Sequence, residues 1–218
     1  MFRDRADAGR LLAELVIRRL GDPSGAQMAA GSLVLALPRG GVPVAAVVAR
    51  DLGVPMDLLV VRKVGLPWQP ELALGAVGEG GRSVLNDAVV AASGVGPDEI
   101  DALIRRASRD VEQIVAELRP GAGPAELSAR DVIVVDDGVA TGATARAAAQ
   151  IVRSRGAGQV ILATPVGAPS TCADLRACFD QVICARTPSP FGSVGRHYED
   201  FDQVSIGEVR RLLSGARP

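Results

Sequence analysis

The sequence predicts an α/β fold, a doubly wound parallel sheet flanked by helices, and three observations lead to this expectation. Short continuous runs of Val, Ile, Leu and Ala recur along the 218 residues, as in parallel strands that are buried on both faces. Stretches with helical periodicity separate these runs. The resulting alternation of strand and helix is typical of a doubly wound sheet. Because no linker or internal repeat interrupts the pattern, we expect one domain over 1–218.

The first half of the chain supplies a helix, two strands and their connection. Leucine and valine recur at helical spacing near the N-terminus, which predicts a helix over 4–20. The runs SLVLAL at 32–37 and MDLLVV at 56–61 predict buried strands, and the helix between them closes at Gly53. The stretch 62–82 is rich in Gly and Pro, and we expect its glycines to let residues 63–82 move.

The second half repeats the alternation. A long amphipathic helix precedes the strand DVIVV, and further strands and helices follow it. The expected elements are a helix over 97–118, a strand over 131–135, a helix over 144–156, a strand over 159–166, a helix over 169–177, a strand over 181–186 and a helix over 206–214.

Composition excludes several classes of function. The net charge is −1 and no basic stripe is present, which argues against nucleic acid as the main partner. No apolar run is long enough to span a membrane, and the N-terminus lacks the apolar core of an export signal. We therefore expect a cytoplasmic protein with small-molecule partners and no nucleic acid or membrane partner.

The motif VIVVDDGVATGAT at 132–144 carries most of the functional information. Its acids, Asp136 and Asp137, follow a buried strand, and ligands bind at that end of a parallel sheet. The small residues and the helix N-terminus after them offer backbone N–H groups to a phosphate, and Thr141 and Thr144 add hydroxyls. The two carboxylates suit a sugar diol, or a magnesium ion held through water. The combination indicates a sugar phosphate.

Competing motifs do not match. A Walker loop needs a Gly-Lys-Ser/Thr, and no GxGxxG follows a strand. A Ser-His-Asp hydrolase would need His197, the only histidine, and the chain has no GxSxG elbow. A phosphatase would need a DxD pattern in place of adjacent acids. The remaining alternative is structural, with Asp136 and Asp137 ending a strand and capping a helix.

The same stretch resembles the phosphoribosyl-pyrophosphate (PRPP) binding motif of the type I phosphoribosyltransferases, which is an aliphatic strand, two acids, small residues and Thr-Gly-x-Thr. The resemblance implies that the two acids hold the ribose 2- and 3-hydroxyls and that the loop wraps the 5-phosphate. It also implies a small hood, formed by terminal and inserted segments, over the sheet. The implied PRPP-binding residues are Asp136, Asp137, Gly138, Val139, Ala140, Thr141, Gly142, Ala143 and Thr144.

A second stretch, PRGG, stands where the family has its pyrophosphate loop, after the first core strand. Arg39 supplies charge, and the glycines let the backbone approach an anion. Family members often carry a non-proline cis peptide here, so we expect one within this loop. An ordinary strand-to-helix turn is the alternative. The residues concerned are Pro38, Arg39, Gly40 and Gly41.

A third stretch, VRKVGLP at 61–67, resembles the start of the mobile catalytic loop in adenine and orotate members. There a basic pair contacts the pyrophosphate and the 5-phosphate, which here implies Arg62 and Lys63. Lys63 is the only lysine among 24 basic residues. The resemblance implies a loop over 63–82 that closes on the site with Trp68, and a solvated charged pair is the alternative.

The reaction implied by the resemblance displaces pyrophosphate from C1 of the ribose with a nitrogen nucleophile. Arg39, Arg62 and Lys63 would neutralise the leaving group together with Mg²⁺. Asp136 and Asp137 would help to hold the metal indirectly, through water or substrate. Hypoxanthine-guanine members have an aspartate just before the Thr-Gly, whereas this chain has alanine there, so a 6-oxopurine acceptor is disfavoured.

The tail FGSVGRHYEDF holds the candidate acceptor pocket, Phe191, Tyr198 and Phe201. A small satellite core under the last helix is the alternative. The helix over 97–118 is expected to be an insertion that serves the hood or an oligomer interface, and we expect a homodimer. The competing function is a non-catalytic PRPP-binding regulator, against which the retained basic pair argues.

Overall fold

The computed structural model describes residues 1–20, 31–66 and 68–216, without the side chains of 70–72. The strands are β1 Leu33–Ala36, β2 Met56–Leu58, β3 Val61–Leu66, β4 Gln69–Gly78, β5 Ser83–Leu85, β6 Val132–Val135, β7 Val160–Val166 and β8 Gln181–Arg186. The helices are α1 Arg5–Leu20, α2 Gly41–Leu52, α3 Asp87–Ser93, α4 Pro97–Leu118, α5 Ala143–Ser154, α6 Pro169–Leu175 and α7 Ile206–Ser214. All the strands and helices expected from the sequence are present, whereas β3 to β5 and α3 were not expected.

The main sheet has five strands in the order β2-β1-β6-β7-β8, and all its neighbours pair in parallel. Its winding reverses between β1 and β6, which is where open α/β sheets bind ligands. The residues of β1 and β6 are all buried. Val34 packs in a cluster with α1 and α2, and its neighbour Leu35 in a cluster with α5. The doubly wound α/β prediction is therefore confirmed; the single-domain expectation stays a prediction.

Strands β3, β4 and β5 form a separate antiparallel sheet. The Gly- and Pro-rich stretch 62–82, in which no strand was expected, therefore contributes to a sheet, and its mobility stays a prediction. Its glycines permit close packing: a Cβ on Gly75 would lie 2.1 Å from the carbonyl oxygen of Val84, and one on Gly78 would lie 2.5 Å from Cγ2 of Ile151. Two of the glycines that suggested mobility are thus explained by contacts with β5 and α5.

Trp68 lies in the turn between β3 and β4 and is 62% exposed. It does not cover the site in this arrangement. Pro67, the last residue of the stretch that resembles a catalytic loop, lies outside the described residues, and closure of this segment over the site stays a prediction.

Helix α4 packs against β3, β4 and α7. Its buried face consists of Ile100, Ala107, Val111 and Leu118. The helix therefore covers the small sheet, while its expected part in an oligomer interface stays a prediction. Within the described ranges, no helix has both the length and the apolar character needed to cross a membrane.

Candidate active site

The ends of β1 and β6 meet at the point where the winding reverses. The expected cis peptide bond is present between Pro38 and Arg39. A Cβ on Gly40 would lie 2.0 Å from Oδ2 of Asp137, and one on Gly41 would lie 2.6 Å from the carbonyl oxygen of Val135. Only glycine allows so close an approach, so the PRGG loop and the acid pair form one continuous surface.

The acid pair is partly buried. The backbone N–H of Asp137 donates to Oδ1 of Asp136 over 2.9 Å. Burial, and then the neighbouring charge of Asp137, raise the pKa of Asp136 to about 8. Burial also raises the pKa of Asp137, against the opposing effect of the Arg5 guanidinium. Two adjacent carboxylates at one site rarely ionise together without a cation.

Arg5, at the start of α1, supplies such a cation. Its Nε donates to Oδ2 of Asp137 over 2.8 Å, and its Nη1 donates to the carbonyl oxygen of Asp202, also over 2.8 Å. The guanidinium carbon lies 4.1 Å from the centre of the Phe201 ring. Arg5 was not predicted from the sequence, because it lies 132 positions from its partner and no local pattern marks an N-terminal arginine as part of a distant site.

Replacing Asp136 with asparagine is expected to stabilise the fold at alkaline pH. Because the pKa is raised from 3.8 to about 8, the folded state binds more protons than the unfolded state within this window, and stability falls as pH rises through it. Asparagine removes that penalty. The difference in Tm between Asp136→Asn and wild type should grow from pH 5 to pH 9. Asp101→Asn, on the exposed side of α4, is the control, and a constant difference would contradict the assignment.

The loop between β6 and α5 encloses a cavity of about 200 Å³, lined by Asp136, residues 138–145 and Val194. Gly142 has φ 74°, a left-handed conformation that glycine adopts without cost. The N-terminus of the 12-residue helix α5 opens onto this loop, as required for an anion. The predicted 5-phosphate residues are therefore brought together around one cavity.

Neighbouring side chains fix the carbonyls of this loop. The hydroxyl of Thr171, on α6, donates to the carbonyl oxygen of Ala140 over 2.7 Å. Nη1 of Arg146 donates to the carbonyl oxygen of Thr141, also over 2.7 Å. These contacts hold the loop in a defined conformation before any ligand binds, and neither donor was identified from the sequence.

A second cavity of about 200 Å³ lies beside the first. Arg39, Arg62 and Thr144 line it, together with Glu117 and apolar residues that follow β1 or lie in the β2–β3 connection, at the start of β3 and on α4. Thr144 also lines the loop cavity, so the two cavities are adjacent. The structure thus brings both predicted arginines to the edge of the phosphate loop.

Lys63 lies elsewhere. It lines a different cavity, of about 550 Å³, between β3 and α4, which it shares with Arg62 and Arg106. Arg62 therefore borders both cavities, whereas Lys63 is not among the residues that line the cavity with Arg39. The expected catalytic role of Lys63 stays a prediction.

A buried ion cluster lies at the base of the small sheet. Asp57 on β2, Glu79 after β4 and Arg119 after α4 are at most 6% exposed. Nη1 of Arg119 lies 2.7 Å from Oδ1 of Asp57, and its Nη2 contacts Oε2 of Glu79. Oε1 of Glu79 accepts from the backbone N–H of Val60 over 3.2 Å. The cluster connects α4 with the strands that lead to Arg62.

The aromatic residues of the tail form a packed cluster with the N-terminal segment. Tyr198 is 5% exposed, and its ring lies 5.4 Å from that of Phe2 and 5.0 Å from that of Phe201. Its hydroxyl donates to the carbonyl oxygen of Asp137 over 2.6 Å. The satellite core exists, but it lies beside the acid pair and not under α7. Phe191 and Phe201 are partly exposed, and their acceptor role stays a prediction.

Taken together, the site combines a phosphate loop, two adjacent carboxylates and two arginines at the switch point of a parallel sheet. This arrangement defines a class of protein that binds a sugar phosphate. A family model described as "Phosphoribosyl transferase domain" matches residues 10–199. The chain belongs to this family.

The similarity extends along the whole chain. This chain is 45% identical over 216 residues to "Putative phosphoribosyl transferase Rv0571c" of Mycobacterium tuberculosis. The match covers 99% of this chain and 47% of that protein. The chain thus spans about half the length of the curated relatives it matches. A crystal structure of TT1426 from Thermus thermophilus superimposes with a TM-score of 0.87 at 38% identity, covering 100% of both chains. The AQ2163 protein from Aquifex aeolicus is similar in fold alone. It superimposes with a TM-score of 0.50 at 12% identity, over 96% of this chain and 84% of that one.

Proposed function

We propose that this protein transfers the 5-phosphoribosyl group of PRPP to a nitrogen acceptor, of the nucleobase type, with release of pyrophosphate. The observation that carries the proposal is the adjacency of the two cavities. One is formed by the phosphate loop beside the acid pair, and the other contains Arg39 and Arg62. A substrate with phosphates at both ends of a ribose fits this arrangement.

Each part of the site has a separate task. The loop before α5 binds the 5-phosphate through backbone N–H groups, and the acid pair accepts hydrogen bonds from the ribose hydroxyls. Arg39 and Arg62 neutralise charge that develops on the leaving pyrophosphate. Holding both ends of the substrate places C1 in line with the acceptor nitrogen, so much of the catalysis is positioning.

The residues of this site could bind Mg²⁺ only if the substrate supplied further ligands. Carboxylate oxygens are ligands that Mg²⁺ prefers, and Asp136 and Asp137 supply them. Among the described residues, however, no group of three or more potential ligands could hold a metal ion. Mg²⁺ would therefore be held largely by PRPP, and when bound it would supply positive charge to the leaving group. The metal, a homodimeric assembly and a cytoplasmic location stay predictions.

The second candidate is a PRPP-binding regulator without catalysis. Convergence of Arg39 and Arg62 on one cavity favours the enzyme, because a sensor has less need to stabilise a leaving group. Calorimetric titration of PRPP with Mg²⁺ tests the shared pocket, with Asp136→Ala/Asp137→Ala as the variant expected to lose binding. Pyrophosphate release across a set of nucleobases then separates the two functions: binding without release supports the regulator, and absence of binding overturns both.

Gly40→Ala tests the contact between the PRGG loop and the acid pair. The added Cβ would lie 2.0 Å from Oδ2 of Asp137, so the carboxylate or the loop must shift. A displacement of about 1 Å is expected to lower kcat/KM for PRPP by about 100-fold. Gly40 has φ −61°, which alanine adopts freely, so the effect would come from space alone.

Gly96→Ala is the matched control, since a Cβ there meets nothing within 4 Å and φ is −72°. We expect this control to keep wild-type kinetics. Equal kinetics for the two variants would show that the close approach of the loop is not needed for turnover.

A further inference from the structure

The N-terminal segment reaches the acid pair from outside the region that defines the family. The family model matches residues 10–199, whereas Arg5 precedes it. Backbone hydrogen bonds join the segment to the tail: the N–H of Phe2 donates to the carbonyl of His197, and the N–H of Glu199 donates to the carbonyl of Phe2. This pairing places α1 so that its first residue faces Asp137.

The Arg5 side chain is held on several sides. It bonds to Asp137 and to the backbone of Asp202, and it stacks on Phe201. The Arg5 and Asp137 side chains are 12% and 14% exposed. A guanidinium with this many contacts has little rotamer freedom, and a charge-assisted hydrogen bond away from bulk water is stronger than a neutral one.

We propose that Arg5 is a positioning residue of the ribose site, which holds the Asp137 carboxylate in place to accept a hydrogen bond from a ribose hydroxyl. The proposal rests on the function proposed above. It adds to the site a side chain that lies outside the family's matched region. Arg5, Asp136 and Tyr198 are the charged and titratable groups that act on Asp137 from α1, the end of β6 and the tail.

The geometry fits an Arg5 that positions Asp137 better than an Arg5 that blocks the ribose from reaching it. A carboxylate offers about four acceptor positions, and the Nε bond of Arg5 uses one of them, on Oδ2. The same oxygen faces Gly40, since it is the atom nearest to a Cβ built there, while Oδ1 lies farther away at 3.1 Å. The contact therefore leaves acceptor capacity on Asp137 for a ligand.

The test compares wild type, Arg5→Met and Arg5→Lys by calorimetric titration of PRPP with Mg²⁺ at one fixed pH, together with Tm. Loss of one charged hydrogen bond should weaken PRPP binding by about 10- to 100-fold in Arg5→Met. Arg5→Lys should recover part of this affinity, because lysine can still donate a charged hydrogen bond to Asp137. Arg3→Ala is the control, because Arg3 forms an exposed ion pair with Asp7.

Three outcomes would overturn the inference. A lower Tm with unchanged PRPP binding would make Arg5 a tether between the N-terminal segment and the tail. Tighter binding by Arg5→Met would mean that the guanidinium competes with the ribose. Failure of wild type to bind PRPP would overturn the proposed function itself, and this inference with it.

Discussion

Arg119→Met is expected to destabilise the fold by about 3–5 kcal/mol, the usual cost of leaving a buried charge without its partner. Arg119 bridges Asp57 and Glu79, and all three are almost completely buried. Methionine fills much of the same space but removes the cation that the two carboxylates share. Urea unfolding at pH 7 measures the loss, and Arg105→Met, on the exposed face of α4, is the control.

The loss should depend on the two acids. Burial raises the pKa of Glu79, against the opposing effect of Arg119, so without the arginine the carboxyl takes up a proton more readily. Combining Arg119→Met with Asp57→Asn and Glu79→Gln should recover a large part of the stability, because a neutral cluster avoids the charge penalty. A loss below about 1 kcal/mol for Arg119→Met alone would contradict the importance of the cluster.

The second large effect is a difference in kcat/KM between variants of two adjacent basic residues, Arg62 and Lys63. Arg62→Met should lower kcat/KM for PRPP by about 100- to 1000-fold, the range for removing one group that stabilises charge in a transition state. Lys63→Met should change it by less than about tenfold, since Lys63, unlike Arg62, is not among the residues that line the cavity with Arg39. Steady-state pyrophosphate release measures both variants.

Each variant acts as the control for the other, because both replace a neighbouring cation on β3 with the same side chain. The resemblance to the family implies that both residues contact the substrate, whereas the observed cavities predict unequal losses. Equal losses would mean that Lys63 reaches the substrate after a rearrangement of the small sheet. A loss only in Lys63→Met would contradict the assignment of Arg62.

Local sequence was sufficient to predict the main sheet and the phosphate loop. The strand, both acids and the loop lie within 132–144, so their spacing along the chain determines their spacing in space. The same holds for the PRGG loop, which directly follows β1. These parts are predictable because each is one strand-to-helix connection, with a composition that reflects its backbone geometry.

Contacts between distant segments were not predictable. Arg5 reaches Asp137 across 132 positions, and Arg119 joins Asp57 on β2 to Glu79 after β4. The small sheet was missed for another reason: its glycines suggested mobility, but Gly75 and Gly78 are needed where backbone meets backbone or a neighbouring helix. Glycine content alone does not distinguish flexibility from tight packing.

The packing of α5 against β3 and β4 has a consequence for substrate choice. The N-terminus of α5 lies at the loop that would receive one phosphate, and β3 carries Arg62, which would receive the other anionic end. Because the Gly78–Ile151 contact joins the small sheet to the helix, the distance between the two anion sites is set by the core. The protein would then select ligands by the distance between their two anionic groups. It would accept a ribose phosphorylated at both ends and discriminate against shorter sugar phosphates.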